Sequence, residues 1–195
     1  MRNSEERHDY YYKKAREMGY PARSIFKLQE IDKKYHLIRA GDRVLDLGCA
    51  PGSWLMYLSE KVTKNGKVVG VDLQEINIGL NDNTVFIEKD INDLTKEDLG
   101  DKKFDVIVSD MAPKTSGIKS LDADRSLQLN EVAFKVAKDF LKPNGHFVFK
   151  IFESPEAHDF VASFREKFKM AKRYSPQATR KASSEFYVVC MNWKK

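Results

Sequence analysis

Four ionisable side chains in this sequence have positions that suit chemistry at a single site: Lys27, Asp110, Lys150 and Glu185. Lys150 interrupts the apolar run 146–152, which has the composition of a buried strand. A lysine at such a place costs free energy unless it has a partner or takes part in chemistry. Each of the four is predicted at or beside the end of a helix or strand, where a parallel sheet collects its functional groups. The sequence therefore predicts one shared site.

The elements that must position these side chains are predicted from apolar patterning and turn residues. Strands alternate with helices, which predicts an α/β fold with a mainly parallel sheet, right-handed crossovers and helices on both faces. The last two strands follow each other closely, and this spacing predicts an antiparallel edge. Helices are predicted at 22–35, 53–62, 122–141 and 155–168, and strands at 43–48, 67–72, 84–89, 104–110, 145–152, 170–175 and 185–192.

The chain length and composition predict one domain, 1–195, with residues 1–21 as a polar arm that is basic and aromatic. With 42% hydrophobic residues, the chain can bury a core of its own. Cys49 and Cys190 form neither a disulfide framework nor a metal-ligand spacing, and the four His residues stand apart. The sequence thus calls for no metal and fits a reducing cytoplasm. It shows no signal-peptide pattern and no apolar run of membrane-spanning length, so a membrane is not expected as a partner.

A loop that could hold a small ligand follows the first predicted strand. It has the sequence DLGCAPGSW, with Gly48 and Gly52 where backbone can approach a ligand closely. The loop opens a helix, whose first N–H groups are available for binding. It carries neither the G-x-G-x-x-G pattern of dinucleotide sites nor the Gly-Lys-Ser/Thr of a phosphate loop. An ordinary strand-to-helix turn is the alternative explanation.

Acidic residues end the next two predicted strands. Asp72 is placed to accept hydrogen bonds from ribose hydroxyls. A loop without the phosphate pattern, followed by such an acid, suits a nucleoside without phosphates, and S-adenosylmethionine is such a ligand. Asp90 is placed to bind an adenine, although a helix or loop cap explains it nearly as well. Trp54 is predicted either to border the methionine end of the cofactor or to pack as an aromatic anchor.

The segment SDMAP, at 109–113, follows the fourth predicted strand, where a methyl acceptor would lie. Methylation of an amino group usually uses a small polar residue, prolines and then an aromatic side chain, but Lys114 comes next here. Methylation of a cytosine ring needs a nucleophilic cysteine at this edge. Cys49 lies in another loop and Cys190 lies inside the last predicted strand. Attack by an oxygen remains.

The charge of the chain is unevenly distributed. Residues 1–40 carry ten Lys and Arg against six Asp and Glu, and residues 165–195 carry nine against two. Two basic ends suggest a surface for a polyanion, because Lys and Arg that neutralise phosphates supply most sequence-independent affinity for nucleic acid. A solvated, solubilising surface is the alternative. The predicted RNA-binding residues are Arg7, Lys13, Lys14, Arg16 and Arg23 near the amino end and Lys172, Arg173, Arg180 and Lys181 near the carboxyl end.

Six short motifs run from the N-terminal arm to the last predicted strand. They are SIFKL at 24–28, DLGCAPGSW at 46–54, VD at 71–72, SDMAP at 109–113, FK at 149–150 and SSEFY at 183–187. In these motifs the chain resembles the FtsJ family of RNA ribose 2′-O-methyltransferases. Together the motifs are highly specific, although no single one is.

The resemblance implies a Rossmann-like methyltransferase fold with a mostly parallel seven-stranded sheet and a final antiparallel strand. It implies a catalytic tetrad made of Lys27, Asp110, Lys150 and Glu185, and S-adenosylmethionine as the cofactor. For the compact type of this family, it further implies a large-subunit ribosomal RNA uridine as the substrate, within the RNA or the assembling subunit. We expect the protein to be a monomer. The residues expected around the cofactor are Gly48, Gly52, Trp54, Asp72, Asp90 and Asp110.

The chemistry of such a site has a physical outline. A ribose 2′-hydroxyl must approach the sulfonium methyl in line, and it becomes a better nucleophile as it loses its proton. Lys150 is expected to act as the general base or to orient the hydroxyl. To accept a proton as a general base, Lys150 must be neutral. Burial and the nearby Lys27 favour the neutral form, whereas Asp110 and Glu185 favour the charged form. We expect the two carboxylates to position the lysines and Lys27 to help hold the acceptor ribose.

Three other functions stay open at this point. A ribose methylase acting on transfer RNA or on an RNA cap would use the same four residues. A small-molecule methyltransferase would share the cofactor loop but would not need basic ends. A ribosome assembly factor that binds RNA without catalysis would keep only a relic of the cofactor pocket.

Overall fold

The computed structural model describes residues 4–180 and 183–194, with the backbone alone at residues 4–9. Seven strands form one sheet: β1 (Arg43–Leu47), β2 (Lys67–Asp72), β3 (Thr84–Glu88), β4 (Phe104–Ser109), β5 (Leu141–Phe152), β6 (Phe168–Tyr174) and β7 (Glu185–Trp193). The α-helices are α1 (Ser4–Glu17), α2 (Ile25–Tyr35), α3 (Ser53–Val62), α4 (Lys96–Leu99), α5 (Lys119–Phe140) and α6 (Pro155–Phe164). Short 3-10 turns cover Ile91–Asp93 and Arg165–Lys167.

The strand order is β3-β2-β1-β4-β5-β7-β6. All neighbouring strands are parallel except where β7 pairs antiparallel with β5 and with β6. The predicted fold class, including the final antiparallel strand, is confirmed. The chain order reverses between β1 and β4, and open α/β sheets hold their ligands at the carboxyl ends of strands beside such a reversal.

Helices cover both faces of the sheet, because strands buried on both sides need two apolar layers. The first three helices pack on one face through residues such as Ala15, Leu28 and Leu58. The opposite face is covered by α5 and α6, whose Phe140 and Phe164 join an aromatic core under β5. No helix in the described ranges is both long enough and apolar enough to cross a membrane.

Several predicted boundaries are wrong by a few residues, for identifiable reasons. Residues Ser4–Glu17 of the predicted arm form α1, a helix that the sequence did not predict, and Ala15 in this helix and Tyr20 after it are buried against the core. The predicted helix 122–141 begins at Lys119, where Asp122 accepts bonds from the preceding loop, and ends at Phe140, since Leu141 pairs with Phe104 as a strand residue. The predicted helix 155–168 ends earlier, at Phe164.

Candidate active site

The centre of the site lies where β4 ends beside β5. Ser109 pairs with Phe149, so Asp110 follows directly alongside Lys150. The Lys150 ammonium lies 2.8 Å from Asp110 Oδ1 and donates to the Asp110 carbonyl oxygen at 2.6 Å. Both side chains are largely buried, and the Tyr187 hydroxyl also donates to Asp110 Oδ1, at 2.5 Å. The strand register thus places a lysine, a carboxylate and a phenol in direct contact.

Tyr187 reaches this position because it lies opposite Lys150 in the antiparallel pair of β5 and β7. Side chains of directly opposed residues project from the same face of a sheet. Glu185 lies two residues earlier on β7, so it projects from that face as well. The antiparallel direction of β7 brings its first residue to the edge where the parallel strands end. Glu185 therefore joins the site from the start of a strand rather than from its end.

Lys27 enters the site from α2, which packs across this edge. Its ammonium pairs with Glu185 and lies 5.7 Å from the centre of the Tyr187 ring. The start of α2 is held by the start of α3, because the Trp54 indole N–H donates to the Ser24 carbonyl at 3.0 Å. Ser53 Oγ, on α3, accepts from the Ala22 N–H at 2.7 Å. The four predicted catalytic residues are thus brought together as two ion pairs that flank one tyrosine.

The buried groups respond to one another electrostatically. Burial alone would raise the pKa of Asp110, but the charges of Lys150 and Lys27 outweigh it and hold that pKa below its ordinary value. Burial, followed by the neighbouring charges of Asp110 and Glu185, raises the pKa of Tyr187 well above its ordinary value. At neutral pH the site therefore holds an ionised Asp110 and a neutral Tyr187 hydroxyl that donates to it.

A cavity of about 380 Å³ opens beside this cluster, along the carboxyl ends of β1, β2, β3 and β4. Its lining includes Gly48, Asp72, Asp90 and Asp110, four of the six residues predicted around the cofactor. Asp72 Oδ2 accepts from the Ala50 N–H at 2.8 Å, and Oδ1 accepts from the Gln74 N–H at 2.9 Å. These bonds fix the carboxylate at the cavity wall while each oxygen keeps a lone pair for a ligand hydroxyl.

Asp90 serves as a cap in this structure. Its Oδ1 accepts from the backbone and side-chain N–H groups of Asn92, both at 2.8 Å, at the start of a 3-10 turn. The cap and the predicted adenine contact are compatible, because the residue also lines the cavity. The adenine contact stays a prediction.

Gly48 and Gly52 have the positive φ angles, 75° and 105°, that favour glycine. A Cβ atom at Gly48 would lie 2.2 Å from Cγ of Met111, and one at Gly52 would lie 2.4 Å from Cδ1 of Ile78. Both glycines therefore allow neighbouring loops to pack closely over the ligand loop. Neither Gly52 nor Trp54 lines the described cavity, and Trp54 is buried against Tyr187 and Ser24. Trp54 is an aromatic anchor in this structure, and its contact with a cofactor stays a prediction.

Asp46 is a further acidic residue, near the end of β1 beside the ligand loop, that was not singled out from the sequence. It is fully buried in β1, and neither carboxylate oxygen has a hydrogen-bond partner within the described chain. Burial, then the nearby charges of Asp110 and Asp72, raise its pKa well above the ordinary value. A buried acid without partners is costly, so its position next to the ligand loop suits a ligand that donates hydrogen bonds or carries positive charge. An acid inside the apolar segment VLDL was the available signal.

Tyr187 was also missed, although strand periodicity pointed to it through Glu185.

No group of three or more His, Cys, Asp or Glu residues is arranged to hold a metal ion in the part of the chain that the structure describes.

The predicted RNA-binding residues fall into three places. Lys13, Lys14 and Arg16 lie on α1, with the Lys14 ammonium 5.2 Å from the ring centre of Phe26, the neighbour of Lys27. Arg23 lies near the tetrad. Burial, and then the charge of Arg180, lower the pKa of Arg23 overall, although the charge of Glu185 acts in the opposite direction. On β6, Lys172 is exposed and Arg173 pairs with Glu153. Lys181 lies outside the described residues, and so does the side chain of Arg7.

Three features define the class of protein as a Rossmann-like methyltransferase. They are a mostly parallel sheet whose strand order reverses beside a ligand cavity, a final antiparallel strand, and a buried Lys-Asp-Lys-Glu cluster at the carboxyl edge of the sheet. Residues 20–193 match the model of the FtsJ-like methyltransferase family. The chain belongs to this family.

Similar proteins support the assignment over nearly the whole chain. The chain is 46% identical to a ribosomal RNA large subunit methyltransferase E of Desulfatibacillum aliphaticivorans over 96% of this chain and 90% of that protein. It is 42% identical to the protein of the same name from Bdellovibrio bacteriovorus, over 95% and 97% of the two chains. A crystal structure of a putative ribosomal RNA methyltransferase from Plasmodium falciparum superposes with a TM-score of 0.78 at 28% identity, covering 89% of this chain and 98% of the other.

Proposed function

We propose that this protein transfers a methyl group from S-adenosylmethionine to the ribose 2′-hydroxyl of a uridine in large-subunit ribosomal RNA. The observation that carries the proposal is the contact of Lys150 with Asp110 beside a nucleoside-sized cavity, with the Lys27–Glu185 pair on the other side of Tyr187. The names of the relatives support ribosomal RNA as the substrate class. All four tetrad residues come from one chain, which supports a monomer, and we place it in the cytoplasm.

The residues around the cavity suit this cofactor. Asp72 would bind the ribose hydroxyls and Asp90 the adenine, while Asp110 offers negative charge to the cationic methionine end. Asp46, buried in β1 with a raised pKa, offers a hydrogen-bonding group next to the loop. When bound, S-adenosylmethionine supplies an electrophilic methyl group on its sulfonium. Gly48 and Gly52 let neighbouring loops pack closely against the backbone of the ligand loop. Trp54 holds that loop against the start of α2.

Lys150 is the group that we assign to the acceptor hydroxyl. A lysine ammonium has three donors, and Asp110 takes two of them through its side chain and its carbonyl oxygen. The third is available to orient the hydroxyl, or, once deprotonated, the amine accepts the hydroxyl proton. Asp110 and Tyr187 fix the position of Lys150, and Glu185 fixes Lys27, which contacts the acceptor ribose. A turnover rate that rises with pH through a single ionisation would support the role of a base.

The isosteric substitution Asp46→Asn is expected to separate stability from cofactor binding. Because the folded-state pKa of Asp46 is raised, its stabilising contribution is complete below the unfolded pKa, about 3.9, and declines as pH rises towards the folded value. The variant should therefore lose less stability than the wild type as pH rises above the unfolded pKa. Its affinity for S-adenosylmethionine should fall about tenfold, the effect of one lost hydrogen bond. Thermal unfolding across pH and calorimetric titration measure the two effects.

RNA is expected to lie over the α1, α2 and β6 side of the site, where the basic residues lie. Affinity should then fall steeply with added salt, and replacing Lys13 or Lys172 by glutamine should reduce the slope of log affinity against log salt by about 0.7 each. Lys64→Gln is the control, an equal charge change at an exposed turn before β2, where the parallel strands begin and not where they end at the site. Salt-insensitive binding, or equal effects of all three substitutions, would count against this surface.

The direct test is incubation with labelled S-adenosylmethionine and total RNA, followed by mapping of alkali-resistant linkages, since a 2′-O-methyl group blocks cleavage there. A single labelled uridine in large-subunit RNA is the expected result. Label in transfer RNA or at an RNA cap would show that the proposed substrate is wrong, while the proposed 2′-O-methylation would stand. Binding of RNA without cofactor-dependent transfer would instead identify a non-catalytic assembly factor.

A further inference from the structure

Helix α2 makes a second connection to the site, through Glu30. This residue lies one turn after Lys27. Glu30 Oε1 accepts from the Tyr174 hydroxyl at 2.6 Å, and Oε2 accepts from the Gln177 backbone N–H at 2.9 Å. Tyr174 ends β6, and Gln177 lies in the connection from β6 to β7. One carboxylate on α2 therefore ties down both the end of a strand and the chain that follows it.

The aromatic end of this contact is itself firmly held. The Lys34 ammonium lies 4.4 Å from the centre of the Tyr174 ring, and Tyr35 meets that ring edge to face at 5.7 Å. Burial, then the hydrogen bond to Glu30, raise the pKa of Tyr174 to about 12. The phenol therefore stays protonated and keeps donating at any pH at which the enzyme would work.

The chain that Glu30 ties down leads into the acceptor side of the site. After Gln177 it carries Arg180, whose charge reaches Arg23, and it ends at Glu185, the partner of Lys27. The Ser184 carbonyl oxygen accepts from the Glu153 N–H at 2.8 Å, which fixes the far end of the connection to the end of β5. The connection between β6 and β7 is thus held at both ends, by Glu30 and by Glu153.

We propose that Glu30 is a positioning residue that sets the β6–β7 connection against α2, so that Arg180 and Glu185 face Arg23 and Lys27 in the geometry that the RNA acceptor requires. The proposal rests on the proposed function for its RNA readout. Glu30 does not line the cofactor cavity, so its effect should fall on the acceptor and spare the cofactor.

Kinetics of Glu30 variants test the proposal. Glu30→Ala leaves the Tyr174 hydroxyl and the Gln177 N–H without their acceptor, and KM for RNA should rise about tenfold with S-adenosylmethionine affinity within about twofold of wild type. Glu30→Gln should stay within about twofold on both measures, because an amide oxygen can accept both bonds. Glu131→Ala, on the exposed side of α5, is the matched control and should change neither.

Amide hydrogen exchange supplies a readout that does not depend on catalysis. In Glu30→Ala the Gln177 amide should lose about tenfold of its protection, and the Glu153 amide should lose protection too, since it reports the position of Ser184. Tyr174→Phe keeps the bond from Gln177 and should show a smaller loss at both. This milder variant keeps the test valid if the alanine variant folds poorly.

The outcomes separate the two proposals. If the wild type methylates RNA and Glu30→Ala keeps its KM, or if exchange changes at Gln177 alone, Glu30 has only a local structural role and the positioning proposal is wrong. If the wild type methylates no RNA, the proposed function fails, while joint loss of protection at Gln177 and Glu153 would still establish that Glu30 sets the connection. A KM effect that Glu30→Gln does not rescue would also overturn the hydrogen-bonding argument.

Discussion

Lys150→Ala is expected to lower the turnover number by about a thousandfold, the range that a positioned proton-transfer group supplies. The reason is that Lys150 is the lysine in direct contact with Asp110 at the end of β5, and its removal leaves the acceptor hydroxyl without the group that orients or deprotonates it. Affinity for S-adenosylmethionine should fall by no more than about threefold, because the ribose and adenine contacts are assigned to other residues. Single-turnover methyl transfer and calorimetric titration measure the two quantities.

The same strand offers a matched control. Lys142, near the start of β5, pairs with Asp105 of β4 at 2.7 Å, much as Lys150 pairs with Asp110 at the other end. Lys142→Ala removes a lysine–aspartate pair of similar length, but more exposed, outside the site and should leave turnover unchanged. Lys150→Met retains most of the alkyl packing and should be as inactive as the alanine variant. It leaves Asp110 buried without its ion-pair partner, so it should melt below wild type, but by less than the alanine variant. Near-normal turnover of either Lys150 variant, with cofactor bound, would refute the assignment.

Asp110→Ala is expected to impair stability and activity together. The substitution leaves Lys150 buried without its carboxylate and the Tyr187 hydroxyl without its acceptor. Removing one partner of a buried ion pair costs about 3–5 kcal/mol, which corresponds to a melting temperature lower by roughly 10 °C for a chain of this size. Methyl transfer should be lost as well, since Lys150 loses its positioning group. Asp110→Asn can still accept from Tyr187 and should be less destabilised.

The pH dependence of these variants gives a sharper test. Because the pKa of Asp110 is lowered in the folded state, its stabilising contribution is complete above the unfolded pKa, about 3.9, and is lost as pH falls through the folded value. The difference in unfolding free energy between wild type and Asp110→Asn should therefore shrink below about pH 4. A difference that stays constant from pH 7 to pH 3 would show that the charge of Asp110 does not stabilise the fold. Denaturant unfolding at several pH values measures it.

The sequence predicted the elements of the site well, because its signals are local. Alternating apolar segments and turn residues indicated all seven strands, and residues at their ends, such as Asp72 and Asp110, were predicted at the ligand edge for that reason. The positions of Lys27 and Glu185 at element ends placed them in the same predicted site, and the motif resemblance added their catalytic roles. The helical state of α1 was not predicted, since its burial against the core depends on residues far along the chain.

Tertiary structure decided which of these residues meet. Glu185 begins its strand, and only the antiparallel insertion of β7 between β5 and β6 carries a strand start to the edge where parallel strands end. Register then places Tyr187 opposite Lys150, a pairing that strand-length patterns do not specify. Local sequence thus determined the strands, the ligand loop and the identity of the charged groups. Which strands pair, in which direction and in which register is set by contacts between residues distant in sequence. These features of the sheet determined which ion pairs the charged groups form.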